Sequence, residues 1–259
     1  MPTPSLPETC TDEDLSQAGE LQKDASRVLM RVLWLARLAR PDLSFITVRL
    51  ASRVASWTRF EDRQLHRVIS YINCTKDFVL EGKVDHNEVP ILDVYTDADF
   101  ASCQHSAKST SGLWIQVTTG KAGFPVFWQA KKQASVARST TESEIISMAT
   151  GMFGEVLNLQ IFLEYLMQKP IQVKFHQDND AVLKILKNKY SARLRHLGRV
   201  HKVNVASLCE VLEEDEVEAL YCPSAEQRAN GFTKIIPPQE WQSILKQVML
   251  TRSTVSVGS

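Results

Sequence analysis

Four short stretches of this sequence each carry an acidic or amide residue suited to holding a divalent cation. They are Tyr95-Thr96-Asp97-Ala98-Asp99, Ser139-Thr140-Thr141-Glu142-Ser143-Glu144, Phe175-His176-Gln177-Asp178-Asn179 and Glu226-Gln227-Arg228-Ala229-Asn230. Three supply carboxylates; the fourth supplies the amide of Asn230. Hydrolysing a phosphodiester with two divalent ions needs carboxylates that converge on cations about 4 Å apart. Mg²⁺ suits such a site because it takes hard oxygen ligands and keeps several waters, one or two carboxylates and substrate phosphate completing its shell. Each acid also has a plainer reading. Asp97 or Asp99 can close a turn at a strand end. Glu144 sits where a helix dipole favours an anion, and Asp178 can cap the helix that follows it. Their ordered placement on successive elements is the stronger signal.

Those residues need rigid elements to bring them together. Upstream, Val28, Leu29, Val32, Leu33, Leu35, Ala36 and Ala39 form an apolar stripe that predicts a helix over residues 22–40. Arg40-Pro41-Asp42 breaks it and starts a second helix running to about Ser56, and a third is expected over 61–73. The character then changes. Phe78-Val79-Leu80, Ile91-Leu92-Asp93-Val94-Tyr95, Gly112-Leu113-Trp114-Ile115-Gln116-Val117 and Pro125-Val126-Phe127-Trp128 read as strands of an antiparallel meander. A long helix follows from Ser139 to Lys169-Pro170, with Thr141 and Glu144 spaced for a capping box. A strand over 171–175, a helix over 178–187, a charged helix over 194–212, a strand over 217–221, a short helix over 223–231 and a closing helix over 238–250 complete the pattern. On this reading Asp97 and Asp178 end strands, Glu144 lies in the first helical turn and Asn230 in the late short helix. The order indicates an α/β protein with a mixed sheet and helices packed on it.

Composition narrows the classes. The 259 residues are 44% hydrophobic, enough for a sizeable core. The formal net charge is zero, so contact with nucleic acid must use a local basic face. Five separated cysteines without CxxC spacing favour reduced thiols in an intracellular setting over a disulfide framework or a zinc site. The polar, Pro-rich start has no signal-peptide pattern. No apolar run is long enough to predict a membrane helix, so no membrane partner is expected. No Gly-rich phosphate loop occurs, and no small-molecule cofactor is expected.

The motifs resemble the ribonuclease H domain of copia-type LTR retrotransposons. The resemblance rests on Tyr95-Thr96-Asp97-Ala98-Asp99-Phe100-Ala101, Lys108-Ser109-Thr110-Ser111-Gly112, Trp128-Gln129-Ala130-Lys131-Lys132-Gln133 and Ser139-Thr140-Thr141-Glu142-Ser143-Glu144. It continues in order through Asp178-Asn179, Arg195-His196, His201, Tyr221-Cys222-Pro223 and Phe232-Thr233-Lys234. Upstream, Arg40-Pro41-Asp42-Leu43-Ser44-Phe45 resembles the segment that joins such an element's reverse transcriptase to its ribonuclease H. The resemblance covers roughly residues 25–240. It implies a ribonuclease H-like fold, a five-stranded mixed sheet flanked by helices, preceded by a small helical segment. It implies cleavage of the RNA strand of RNA–DNA hybrids with two Mg²⁺ ions, Mn²⁺ being the substitute, and the rest of a reverse transcriptase polyprotein as partner. Asp97, Glu144 and Asp178 match the family's first three metal-binding acids, with Asp99 and Glu142 as second choices. The family's fourth acid falls where this chain has Asn230, which removes a charge and implies a slower enzyme; Glu226, four residues earlier, would share its helix face. The expected division is a disordered lead-in over 1–20, the helical connection over 21–88, the ribonuclease H-like domain over 89–236 and a closing helix with a polar tail over 237–259. Expected locations are the cytoplasm, virus-like particles or the nucleus. No Asp-Asp pair occurs, so no polymerase activity is expected.

For substrate, the candidates are Lys131, Lys132 and Arg138 before the long helix and Arg195 within a second basic run from Lys184 to Lys202. Such runs are also ordinary solvated faces. Recognition of a hybrid would rest on groove shape and ribose 2′-hydroxyls, with little sequence preference. His196 and His201 lie five residues apart, unlike a helical metal pair at i, i+4, so a structural role competes with proton transfer near the site. Trp114, Phe127 and Trp128 read as strand core. The alternatives to an enzyme are a repurposed copy that keeps the fold and binds nucleic acid without cleaving it, and a purely structural piece of a polyprotein.

Overall fold

A computed structural model describes residues 3–5, 11–103, 106–189, 194 and 196–253. In chain order the elements are α1 (Asp12–Ser16), α2 (Gln22–Leu38), α3 (Ser44–Ala51), α4 (Arg59–Cys74), β1 (Phe78–Leu80), β2 (Ile91–Asp99), β3 (Thr110–Thr119) and β4 (Ala122–Lys132). They continue with α5 (Thr140–Gly151), α6 (Leu157–Met167), β5 (Gln172–Gln177), α7 (Asp180–Asn188), α8 (Leu197–Val200), α9 (Val205–Val211), β6 (Val217–Tyr221), α10 (Trp241–Gln247) and β7 (Leu250–Arg252). Contacts divide the chain into two compact units, one made of Met1–Glu81 with Ile235–Ser259, the other of Gly82–Lys234.

The first unit is mainly helical. Its buried polar centre is the Arg40-Pro41-Asp42 break. The Arg40 guanidinium donates to both Asp42 carboxylate oxygens at 2.9 and 2.7 Å, and to the Thr75 carbonyl and hydroxyl. The Tyr71 hydroxyl donates to Asp42 at 2.7 Å, and the Trp241 indole N–H reaches the Tyr71 oxygen from α10. Three expectations change here. Part of the lead-in expected to be disordered is helix α1, closed by a Thr11–Asp14 capping box. The strand Phe78–Leu80 is outside the meander and pairs antiparallel with Leu250–Arg252. The closing helix thereby joins the N-terminal helices, not a separate tail.

The second unit is built on a five-stranded sheet in the order β4-β3-β2-β5-β6. β2, β3 and β4 are the antiparallel meander, while β5 lies parallel to β2 and β6 parallel to β5. Parallel neighbours require crossovers, supplied by α5–α6 and by α7–α9. β2 is the central strand and is buried on both faces over residues 94–98, as a strand covered on both sides must be. Its Leu92 and Val94 pack with Leu113, Ile115, Ile145, Met148, Val173 and Phe175. This strand order and direction is a ribonuclease H-like α/β fold.

Helix boundaries differ in instructive ways. The capping box expected from Thr141 and Glu144 does not form; Ser139 is the cap and accepts from the Glu142 N–H. The long helix loosens into a π turn over Met152–Val156. As a whole, Thr140–Met167 is long and apolar enough to cross a membrane by length and composition, which corrects the expectation that no segment qualifies. Its first half lies buried against the sheet and carries Glu142 and Glu144. The helix expected over 194–212 is two short ones, because Lys202 takes a left-handed φ of 59° and Asn204 caps a fresh start.

Asp42→Ala leaves the Arg40 charge buried without its partner, so it should destabilise the protein by about 3–5 kcal/mol. The paired variant Arg40→Met/Asp42→Leu should lose clearly less, and urea denaturation compares the two.

Candidate metal centre

Asp97 sits near the end of β2, opposite Gly112 on β3. β5 runs parallel to β2 and ends at Gln177, so Asp178 leaves the sheet at the same edge. The cap expected of Asp178 is made instead by Asn179, whose side chain accepts from the Ala181 and Val182 N–H groups. That leaves the Asp178 carboxylate available. Glu144 is delivered by α5. Ser147, three residues on and therefore on the same helix face, donates to the Asp97 carbonyl at 2.9 Å and fixes the helix to the strand. One carboxylate oxygen from each of Asp97, Glu144 and Asp178 lies within 4.8 Å of the other two.

Asp97 and Glu144 are buried and Asp178 half-buried. Burial, with Asp97 and then Asp178 beside it, pushes the Glu144 carboxyl up to about 9. Burial and the Asp97 charge raise Asp178 as well, while Ser224 and Lys234 pull it down. Glu144 Oε2 has no hydrogen-bond partner among the described residues. An orphaned, buried carboxylate oxygen among repelling acids fits a divalent cation: the ion supplies the missing partner and the missing positive charge.

The fourth stretch approaches through Gly112. A Cβ there would meet the Ala229 carbonyl and the Thr233 methyl group, each at 2.7 Å, so only glycine lets this segment lie against the sheet. Gln227, fully buried, donates to the Thr96 carbonyl on β2 and the His176 carbonyl on β5. The Thr233 hydroxyl donates to Asp97 Oδ2 at 2.5 Å. Trp114, between Trp128 and Phe232, stacks on both. Asn230 is buried; its amide donates to the Ser224 carbonyl at 2.8 Å, and its Oδ1 has no partner among the described residues. Glu226 does not share a face with it. The expected helix is two 3₁₀ turns parted at Gln227, whose ψ of 102° is extended, and Glu226 is exposed.

The remaining candidates fall elsewhere. Asp99 lies at the end of β2, outside the group of three. Glu142, only 2% exposed, turns to the two histidines: His196 Nε2 and His201 Nε2 each lie 3.1 Å from its Oε1. The histidines flank α8 instead of lying within one helix, and Ser135 bonds His201 Nδ1. Lys131 and Arg138 are exposed. Lys132 lies 2.8 Å from Cys103 Sγ. Arg195 lies outside the described residues. Lys189, in the second basic run, pairs with Glu213. The sequence reading missed Ser147, and had Gln227 and Thr233 only as parts of motifs. A neutral buried side chain gives no local pattern to read.

The chain is 31% identical over 155 residues to the retrovirus-related Pol polyprotein from transposon TNT 1-94 of Nicotiana tabacum, covering 59% of this chain and 11% of that one. It is 24% identical over 227 residues to the corresponding polyprotein from transposon RE2 of Arabidopsis thaliana, covering 85% and 14%. The chain is a homologue of copia-type Pol polyproteins. No family model matches it. Among solved structures, this Pol homologue resembles a foamy viral protease-reverse transcriptase in complex with RNA/DNA hybrid, with TM-score 0.46, 15% identity, and coverage of 84% and 27%. It spans about an eighth of the curated polyproteins it matches. Within that span lie the ribonuclease H-like unit and its acidic triad.

Both raised carboxyls titrate above their unfolded values. Their contribution to the stability of the metal-free fold is therefore fully present below the ordinary carboxylate range and is lost as pH climbs toward 9. Glu144→Gln should raise the melting temperature of the metal-free protein at pH 8 by about 4–8 °C, bring no gain at pH 4, and abolish any rise on adding Mg²⁺. Thermal melts at the two pH values decide this.

Proposed function

We propose that this Pol homologue is a Mg²⁺-dependent ribonuclease H acting on the RNA strand of RNA–DNA hybrids. The observation that carries the reading is the convergence of Asp97, Glu144 and Asp178, with an orphaned oxygen on Glu144. These three residues would hold the ions. The chemistry gained on binding is activation of a water and neutralisation of charge at the leaving oxygen. The chain's own residues keep the acids in place. Thr233 orients Asp97, Ser147 fixes α5 to its carbonyl, and Gln227 ties the 228–232 turn to the ends of β2 and β5.

Asn230 favours a weakened enzyme. It offers a neutral oxygen where a fourth carboxylate would add attraction for cations. It also donates to Ser224, which an aspartate cannot do. Asn230→Asp should therefore lower the Mg²⁺ concentration needed for half-maximal cleavage several-fold, while losing about 1 kcal/mol of stability with the hydrogen bond. The assay is cleavage of a labelled RNA–DNA hybrid by the full chain, with Asp97→Asn as the inactive control. Absence of cleavage at every Mg²⁺ and Mn²⁺ concentration, with hybrid affinity retained, would favour the binding-only reading instead.

Lys131, Lys132 and Arg138 are the phosphate contacts in this reading. Hybrid affinity should fall linearly with salt on logarithmic axes, and Lys131→Ala/Lys132→Ala should reduce that slope by about 2. A titration without salt dependence would refute the basic face.

A further inference from the structure

We propose that a second copy of this chain packs antiparallel on the outer face of α6, through a surface unconnected with the acidic centre. Buried hydrophobic residues of the helix end where the π turn does: Met152 and Val156 are fully buried, whereas the one buried residue of α6 is the polar Gln160. Outward, the helix presents Phe153, Ile161, Phe162, Tyr165 and Leu166 to solvent, Ile161 at 64% and Tyr165 at 74% exposure. Together they expose roughly 600 Å² of apolar surface, close to what each partner gives to a standard protein interface. A patch of that extent on a surface helix marks an association site.

The occupant follows from the pattern of the face itself. Gly154 lies at one end with open space where a side chain would stand. Tyr165, the most exposed large hydrophobic of the helix, lies at the other. The two are eleven residues apart, about 16 Å along the helix. In an antiparallel pair centred between Leu159 and Gln160, Tyr165 of each copy falls over Gly154 of the other. Phe153 then meets Leu166, and Asn158 meets Ile161. An interface in which residue i meets j and j meets i is the isologous contact of a two-fold dimer. The same register sets Glu155 of each copy opposite Glu164 of the other. Glu164 is tied back to the Ile171 N–H at 3.1 Å, so its carboxylate is held by its own chain.

Sedimentation equilibrium of the full chain should show a reversible dimer. Gly154→Leu should weaken dimerisation by at least about tenfold because it fills the notch. The same change should raise the melting temperature of the monomer, since leucine favours a helix that glycine weakens. Tyr165→Ala should weaken dimerisation similarly by removing the knob. Gly154→Leu/Tyr165→Ala should recover most of the affinity, because the knob moves to the opposite side of the same contact. A chain that stays monomeric at high micromolar concentration overturns the proposal. So does a dimer whose constant neither single variant changes, and so does a double variant no better than the singles.

Discussion

Mutual repulsion among three carboxylates is the constraint around which the second unit is organised. Asp97, Glu144 and Asp178 come from a strand, a helix and the end of another strand, and their oxygens crowd within 4.8 Å. Left to itself such a group would spread apart or take up protons. Glu144 does take up a proton readily, its carboxyl raised to about 9. The fold therefore has to hold the group together with contacts that do not neutralise it. A sheet is well suited, because the ends of its parallel strands β2 and β5 are set by backbone pairing and cannot drift independently.

The contacts that do the holding are neutral. Ser147 and Gln227 act on backbone carbonyls of β2, not on the acids. Thr233 alone among them touches a carboxylate oxygen directly, and its hydroxyl brings no charge to Asp97. Lysines at these positions would have satisfied the acids and removed the attraction for a cation. Gly112, opposite Asp97, contributes by having no side chain: without a Cβ there, the 228–232 turn can lie against β3. The price of keeping the site charged is instability in the metal-free state, which the core around Leu92, Met148 and Phe175 must offset.

Much of this was legible in the sequence, for reasons that differ by element. The strands β2, β3, β5 and β6 were visible because apolar runs of strand length are bounded by polar turns. The three acids were ambiguous one by one, and became a set only through motif order and family resemblance. What stayed hidden depends on long-range or unusual backbone geometry. β1 pairs with β7 across some 170 residues, and a three-residue strand cannot declare a partner at that distance. The break within 194–212 rests on a left-handed Lys202, which nothing in lysine's propensity foretells. Ser139 displaced Thr141 as the helix cap by two residues, and that shift turned Glu144 from a capping group into a member of the acidic centre. Glu142 took the third helical position and turned to His196 and His201 instead.

Asn230 can be understood from the same repulsion. It is one contact removed from both aspartates: its backbone carbonyl and Asp97 share the Thr233 hydroxyl, and the Ser224 that receives its side-chain amide proton also bonds Asp178. A carboxylate at 230 would add a fourth acid to a group in which Glu144 and Asp178 already resist ionisation, and it would set its oxygen against the Ser224 carbonyl. The amide removes that repulsion and gains a hydrogen bond. On the proposed function, Asn230 would thus favour the fold in the absence of metal for the same reason that it would weaken the attraction for metal.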